Sequence, residues 1–369
     1  MDMEVKMDKE NIMSYETVEL DEQEEAIIIL DQTELPNEVK FLRLKEQREI
    51  WQAIYLLQVR GAPAIGVFAA FALYLAAKDI DADTWETFYA PFHEAKEYLN
   101  SSRPTAVNLS WALNRMEQLA IDNSNKPIPA IKALLLKESK EIKAEDVWMC
   151  RRIGENGLTL LKDGDGILTH CNAGQLATSK YGTALAPIHL GVERGMNFRV
   201  FCDETRPLLQ GARLSAFELM VDGVDTTVIC DNMASQVMKN GWINVVFVGC
   251  DRVAANGDAC NKIGTSGVAI LAKYYGIPFY VLGPTSTIDM SIKKGADIPI
   301  EQRPPEEITE MWYKQRMVPQ GVKVYNPAFD VVDNELIAGI VTEYGIARPP
   351  YTESLKEIFH KKAETKPRL

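Results

Sequence analysis

A carboxylic acid and a thiol that could do chemistry stand just past two short apolar runs of this chain. In the first run, Val245, Val246, Phe247 and Val248 form the β-branched segment that a parallel sheet buries on both faces, and polarity changes abruptly at Asp251. In the second, Gly166–Thr169 leads into His170, Cys171, Asn172, Ala173 and Gly174. Ligands of open α/β sheets sit beyond the carboxyl ends of the strands, so both groups fall where a small molecule would be handled. Downstream of Asp251, Asn256-Gly257-Asp258 supplies a tight turn, and Asn261-Lys262-Ile263-Gly264-Thr265 adds amide donors and one cation. An anionic small molecule fits that inventory. Each group also has a plainer reading, Cys171 as a buried structural thiol and Asp251 as a helix cap or a partner of Arg252.

The pattern recurs along the chain. Arg199–Cys202 runs into Asp203-Glu204-Thr205-Arg206, Thr226–Cys230 into Asp231-Asn232, and Phe279–Leu282 into Gly283-Pro284-Thr285-Ser286. Five polar strand ends in succession are better explained by a site than by turn chemistry alone. Strands alternating with helical stretches predict right-handed crossovers and a doubly wound, Rossmann-like parallel sheet. No G-x-G-x-x-G follows a strand and no G-x-x-x-x-G-K-[ST] occurs, so neither a dinucleotide nor a nucleoside triphosphate is indicated.

Ahead of that sheet the chain reads as mainly helical. A strand over Ala26–Leu30 ends in a turn at Asp31-Gln32-Thr33, and apolar residues at helical spacing predict a helix over Lys45–Val59. Gly61 before Pro63 marks a second helix N-terminus, whose free N–H groups beside Arg60 could cradle a phosphate; the alternative is that the glycines only allow close packing. Arg103, in a turn before an amphipathic helix at Asn108–Leu119, would alone pass for solvated surface. Residues 131–161 read as one or two long connecting helices. The expected division is an acidic arm over residues 1–25, a smaller, mainly helical N-terminal domain with short strands over 26–140, and an α/β catalytic domain over 141–369. From Asp297 an irregular loop and tail are expected, with Lys361–Arg368 as a solvated end.

Composition narrows the partners. A formal net charge of −12 offers no basic face for nucleic acid, so an anionic substrate must be met by a few placed cations. Six cysteines at irregular spacing, no C-x-x-C and four histidines argue against a zinc cluster, and no cofactor or metal is expected. No apolar run approaches the roughly 18–20 residues of a membrane span, and the N-terminus resembles neither a secretory signal nor a transit peptide, so a soluble cytoplasmic protein is expected.

Six motifs in order carry a family resemblance: R-G-A-P-A-I-G at Arg60–Gly66, R-P-T-A-V-N-L at Arg103–Leu109, T-H-C-N-A-G at Thr169–Gly174, D-E-T-R-P-L-L-Q-G-A-R at Asp203–Arg213, G-C-D-R-V-A-A-N-G-D at Gly249–Asp258 and N-K-I-G-T at Asn261–Thr265. Together they resemble the methylthioribose-1-phosphate isomerases, aldose–ketose isomerases of methionine salvage that share their fold with regulatory subunits of eukaryotic translation initiation factor 2B. The resemblance implies Cys171 and Asp251 as catalytic pair, phosphosugar contacts from Arg60, Gly61, Ala62, Arg103, Gln210, Asn261 and Lys262, and a homodimer. Cys250, Cys260 and Ser266 depart from the family pattern. Isomerases of 5-deoxyribose 1-phosphate or ribose 1,5-bisphosphate share the catalytic motifs, and a non-catalytic phosphosugar-sensing subunit is the alternative from another class. Side chains alternate on leaving a strand, so Arg252 is expected to pair away from Asp251, with an acid such as Asp258.

Overall fold

The computed structural model describes residues 12–103 and 107–365. Internal contacts divide the chain into two compact units, one from residues 13–149 and 175–182, the other from residue 12, 150–174 and 183 onward.

In the first unit, β1 (Val18–Asp21), β2 (Ala26–Leu30) and β3 (Phe41–Leu44) form an antiparallel sheet in that order. The acidic stretch before Ala26 thus carries a strand, while residues 1–11 of the expected arm lie outside the described residues. The turn after β2 closes as an Asx turn, Asp31 Oδ1 accepting the Thr33 amide at 3.0 Å. Helices α1 (Gln47–Tyr55), α2 (Ala62–Asp79), α3 (Trp85–Asn100) and α4 (Val107–Asp122) follow, then α5 (Ile128–Leu158), one continuous helix where one or two were expected. The division expected at 140/141 and the one between the units at 149/150 both fall inside α5. Helix α2 is apolar all round, as a fully surrounded helix must be. By length and composition it is the one helix among the described residues that could cross a membrane, which corrects the reading that no apolar run is long enough; 72% of its span is buried inside the fold, so it serves as the core helix. Phe68, Phe71, Phe88 and Phe92 fill the space around it. Arg115 of α4 ties to α5 through Glu138 at 2.6 Å and both oxygens of Glu145.

The second unit is built on a seven-stranded sheet. Its elements in chain order are β4 (Gly166–His170), α6 (Ala186–Glu193), β5 (Arg199–Asp203), α7 (Ala216–Val221), β6 (Asp225–Ile229), α8 (Ala234–Lys239), β7 (Val245–Val248), β8 (Arg252–Ala254), β9 (Ala259–Lys262), α9 (Thr265–Tyr275), β10 (Phe279–Leu282), β11 (Ile288–Asp289), α10 (Glu306–Thr309), β12 (Phe329–Val332), β13 (Gly339–Thr342), β14 (Gly345–Ala347) and α11 (Tyr351–Glu364). The large sheet has the order β14-β13-β10-β7-β4-β5-β6, parallel throughout except for β13–β14. Order reverses beside β4, the switch point at which such sheets open a crevice. A smaller sheet, β11-β8-β9-β12, grows from the segment after β7.

The five strands read from the sequence in this unit are present within a residue or so at each end. The expected irregular tail is not: β12 joins the small sheet, β13 and β14 extend the large one beyond β10, and α11 buries Tyr351, Leu355 and Ile358 against it. These segments are short, and their apolar faces are satisfied only by long-range partners, so local patterning hides them. The basic end is split: Lys361 and Lys362 lie exposed on α11, and residues 366–369 are outside the described residues.

Candidate functional site

The register of the large sheet brings the chemistry to one edge. His170 is level with Val248 across β4 and β7, so Cys171 follows one residue beyond that level and Asp251 three. Cys202 is level with Thr169, and Ile229 with Asp203, which aligns the D-E-T-R turn and Asp231 with the same edge. Adjacent strands are about 4.8 Å apart, so the two proposed catalytic residues follow the ends of neighbouring strands, within three residues of a common level.

Cys171 is held by its backbone. It sits at φ +68, a left-handed conformation that a non-glycine residue adopts at a cost, and is nearly buried. Its N–H donates to Thr205 Oγ1 at 2.8 Å, and its carbonyl accepts from Ser215 Oγ at 2.8 Å. Thr205, itself at φ +65, donates its hydroxyl to the Asp203 carbonyl, and the two oxygens of Asp231 accept the amides of Thr205 and Arg206 at 2.7 Å each. The turn after β5 is therefore a clamp on the turn after β4.

His170 joins that clamp to the N-K-I-G-T segment. Nε2 lies 2.9 Å from the Ile263 carbonyl, which can only accept, so Nε2 carries a proton; Nδ1 lies 2.9 Å from Asp203 Oδ2. Burial pulls the imidazole down, but Asp203 outweighs it and raises His170; burial likewise raises the Asp203 carboxyl against the pull of His170. Both directions mean that the pair keeps a shared proton. His170, Asp203 and Asp231 each bring a potential metal-ligand atom within 4.8 Å of the others. The His170 nitrogens and both Asp231 oxygens are already spent on the contacts above, so the set reads as a brace for the turns.

The segment beyond β7 folds back as a hairpin. The Asp251 amide donates to the Cys260 carbonyl at 2.9 Å, Arg252 opens β8, and β9 ends at Asn261 and Lys262. Asn261 is buried and donates to Thr265 Oγ1 at 3.1 Å; the Lys262 ammonium lies 4.3 Å from the centre of the Phe329 ring. Arg252 does pair away from Asp251, but with Asp289 at 3.9 Å and not with Asp258. Burial alone would raise the Asp258 carboxyl, but four donors, the Gly295 amide, the Asn256 side chain and the amide and side chain of Asn334, hold it below the usual range. Burial pushes the Cys250 thiol up to about 12, with Thr287 Oγ1 at 3.3 Å, so Cys250 is an inert thiol beside Asp251. Gln210, before the π-turn Gly211–Ser215, is buried, and its Oε1 has no hydrogen-bond partner among the described residues. A leftover acceptor of this kind is one that a ligand hydroxyl satisfies.

The remaining candidate residues named from the sequence belong to the helical unit. Gly61 is the N-cap of α2 at φ +89, Ala62 is the first helical residue, and Pro63 lies in the first turn. A Cβ on Gly61 would come within 2.4 Å of Ala177, so the close-packing reading of this glycine holds whatever else the turn does. Arg60 immediately precedes the cap. Arg103 is half-buried at the end of the turn after α3; Pro104 and Thr105 of its motif lie outside the described residues.

Several residues around the edge were not singled out by sequence reasoning. Ser215, Glu218 and His189 lie in or near helices whose patterning looks like ordinary core, and Asp330 accepts the amides of Gly264 and Ser266 at the start of α9, occupying that helix terminus with the protein's own carboxylate. Only the three-dimensional pairing reveals them.

The chain is similar to known proteins over almost its whole length. Residues 58–349 match the Initiation factor 2 subunit family. A methylthioribose-1-phosphate isomerase of Symbiobacterium thermophilum is 65% identical over 96% of this chain and 98% of its own. A 5-deoxyribose 1-phosphate isomerase of Clostridium botulinum is 55% identical over 93% of this chain and 98% of its own. Among solved structures, 5-methylthioribose 1-phosphate isomerase from Pyrococcus horikoshii OT3 superposes with a TM-score of 0.89 at 44% identity, covering 95% of this chain and 97% of that one.

Proposed function

The chain belongs to the Initiation factor 2 subunit family, and from that premise we propose that it is an aldose–ketose isomerase converting 5-methylthioribose 1-phosphate to the ribulose 1-phosphate, a step of methionine salvage. The observation that carries the reading is the placement of Cys171 and Asp251 at the ends of adjacent parallel strands, on a fold shared with an isomerase of that substrate.

The substrate sets the demands. Its anomeric carbon carries the phosphate, so the ring cannot open by itself to a free aldehyde as that of an unsubstituted sugar does, and the protein must assist the opening. Asp251 donates a proton to the ring oxygen as the C1–O bond breaks, and Cys171 handles the C2 position. The hydrogen leaving C2 ends on C1, and the C2 hydroxyl becomes the ketone while its proton returns to the protein. Oxidation at C2 is matched by reduction at C1 within one molecule, so the balance needs no external oxidant or reductant.

Gln210, Asn261 and Lys262 are the proposed sugar and phosphate contacts on the sheet unit, and Arg60, Gly61, Ala62 and Arg103 those on the helical unit. The leftover acceptor of Gln210 and the cation of Lys262 support the first group. The family resemblance supports a homodimer, and the net charge of −12 and the buried α2 support a cytoplasmic protein without nucleic-acid or membrane partners.

A second reading is favoured by the 5-deoxyribose 1-phosphate isomerase among the relatives. Assaying the purified protein on ribose 1-phosphates that differ only at C5 separates the two. Highest kcat/KM on the 5-methylthio sugar supports the proposal, highest kcat/KM on the 5-deoxy sugar replaces the substrate, and binding without turnover of any of them replaces the enzyme with a sensor.

A further inference from the structure

A buried acid lies behind the Cys171 turn, and the reaction above does not use it. Glu218, on α7, is fully buried, and its Oε1 accepts from Asn172 Nδ2 at 2.8 Å. Its Oε2 lies 3.4 Å from Nε2 of His189 on α6, and His189 Nδ1 lies 2.5 Å from Asp222 Oδ2. The other Asp222 oxygen accepts the backbone amide of Ile12 at 2.9 Å. Asn172 Nδ2 also reaches Ser215 Oγ at 3.2 Å, and that hydroxyl donates to the Cys171 carbonyl. The backbone follows the same acid closely: a Cβ on Gly174 would stand 2.0 Å from Glu218 Oε2.

A carboxylate with no access to water is costly unless it is compensated and fully hydrogen-bonded. Here Asn172 supplies the hydrogen bond and His189 the charge. Burial pulls the His189 imidazole down, but Asp222 and Glu218 outweigh it and hold it at about 9, so it is a cation at neutral pH. The outcome is a rigid chain from α6 through α7 to the residue after Cys171. Cys171 needs such a support because its left-handed backbone is not self-stabilising.

We propose that Glu218 is a positioning residue for the isomerisation: it fixes Asn172, and through Asn172 and Ser215 the backbone that presents the Cys171 thiol to the sugar. The inference rests on Cys171 carrying the reaction, as proposed above. Because a thiol misplaced by about an ångström still binds nothing differently but reacts slowly, the effect belongs in kcat and not in KM.

The test compares Glu218→Ala, Asn172→Ala, the double variant and Glu218→Gln with the parent, with activity expressed per folded molecule by circular dichroism and thermal unfolding. Each single alanine variant is expected to lose roughly ten- to a hundredfold in kcat with KM within about threefold. Removing the second partner should then add little, since one linkage is already broken. Glu218→Gln, which keeps an acceptor for Asn172, should recover most of the rate. If Glu218→Ala does not fold, Asn172→Ala and Glu218→Gln still decide the matter. Parental kcat in Asn172→Ala, or additive losses in the double variant, would overturn the proposal. Cys171→Ala is run alongside: turnover surviving in that variant would sink the reading of the site itself, whereas its loss with a fully active Asn172→Ala would sink only the positioning role.

Discussion

At the scale of single residues, the candidate site is legible where a chemical group interrupts an apolar run. Cys171 and Asp251 announce themselves by standing at strand ends, and Lys262 by being a cation after a turn in an acidic chain. Cys171→Ala or Asp251→Asn should each lower kcat by about 10²–10⁴-fold, the usual worth of a general acid or base, with the far-ultraviolet dichroism unchanged; parental kcat in either variant would remove that residue from the mechanism. Arg103→Ala should weaken phosphosugar binding by about ten- to a hundredfold, the loss of a charge-assisted hydrogen bond, as read by isothermal calorimetry. Illegible at this scale were the residues that work by holding others. Glu218, His189 and Asp330 have no local signature, because what makes them matter is a partner dozens of residues away.

At the scale of elements, runs of four or five apolar residues place β2, β7 and β10 from sequence, whereas strands completed by a neighbour were missed. Phe279–Leu282 shows its pattern unaided, whereas Gly339–Thr342 is a strand chiefly because β10 lies beside it. A chain ending at Asp333 should therefore fail to fold its sheet unit, losing cooperative unfolding in calorimetry; a truncated protein with an unchanged transition would contradict that role of β13, β14 and α11. The α6–α7 contact makes a second prediction. His189 is held at about 9 in the fold against about 6.5 in an unfolded chain, a difference worth ~3 kcal/mol. Its folded value is the raised one, so the stabilisation is complete below about pH 6.5 and is lost as pH rises toward 9. Urea midpoints should fall between about pH 6.5 and 7.5, below the range near 8.5 in which unfolded thiols ionise, and His189→Gln should lessen that slope. An equally steep slope in the variant would place its origin elsewhere.

At the scale of the whole molecule, the charge balance and the fold point the same way. A chain of net −12 that acts on a phosphosugar needs its cations placed, and the motifs offer Arg60, Arg103 and Lys262 as candidates. The change from helical periodicity to alternating strand and helix is legible after the long connector, and the compact units part within that same connector, α5. The extent of the small sheet is not legible, since it is made from turns and short hairpins. Sedimentation at micromolar concentration should give a dimer, and a monomer there would count against the homodimer. The claim on which the rest depends is that this protein turns an aldose 1-phosphate into a ketose. Carbon-13 spectroscopy of 5-methylthioribose 1-phosphate labelled at C2 tests it directly: a ketone carbonyl signal growing with the parent protein and absent with Cys171→Ala is the predicted result, and a C2 signal unchanged after prolonged incubation with folded parent protein would contradict it.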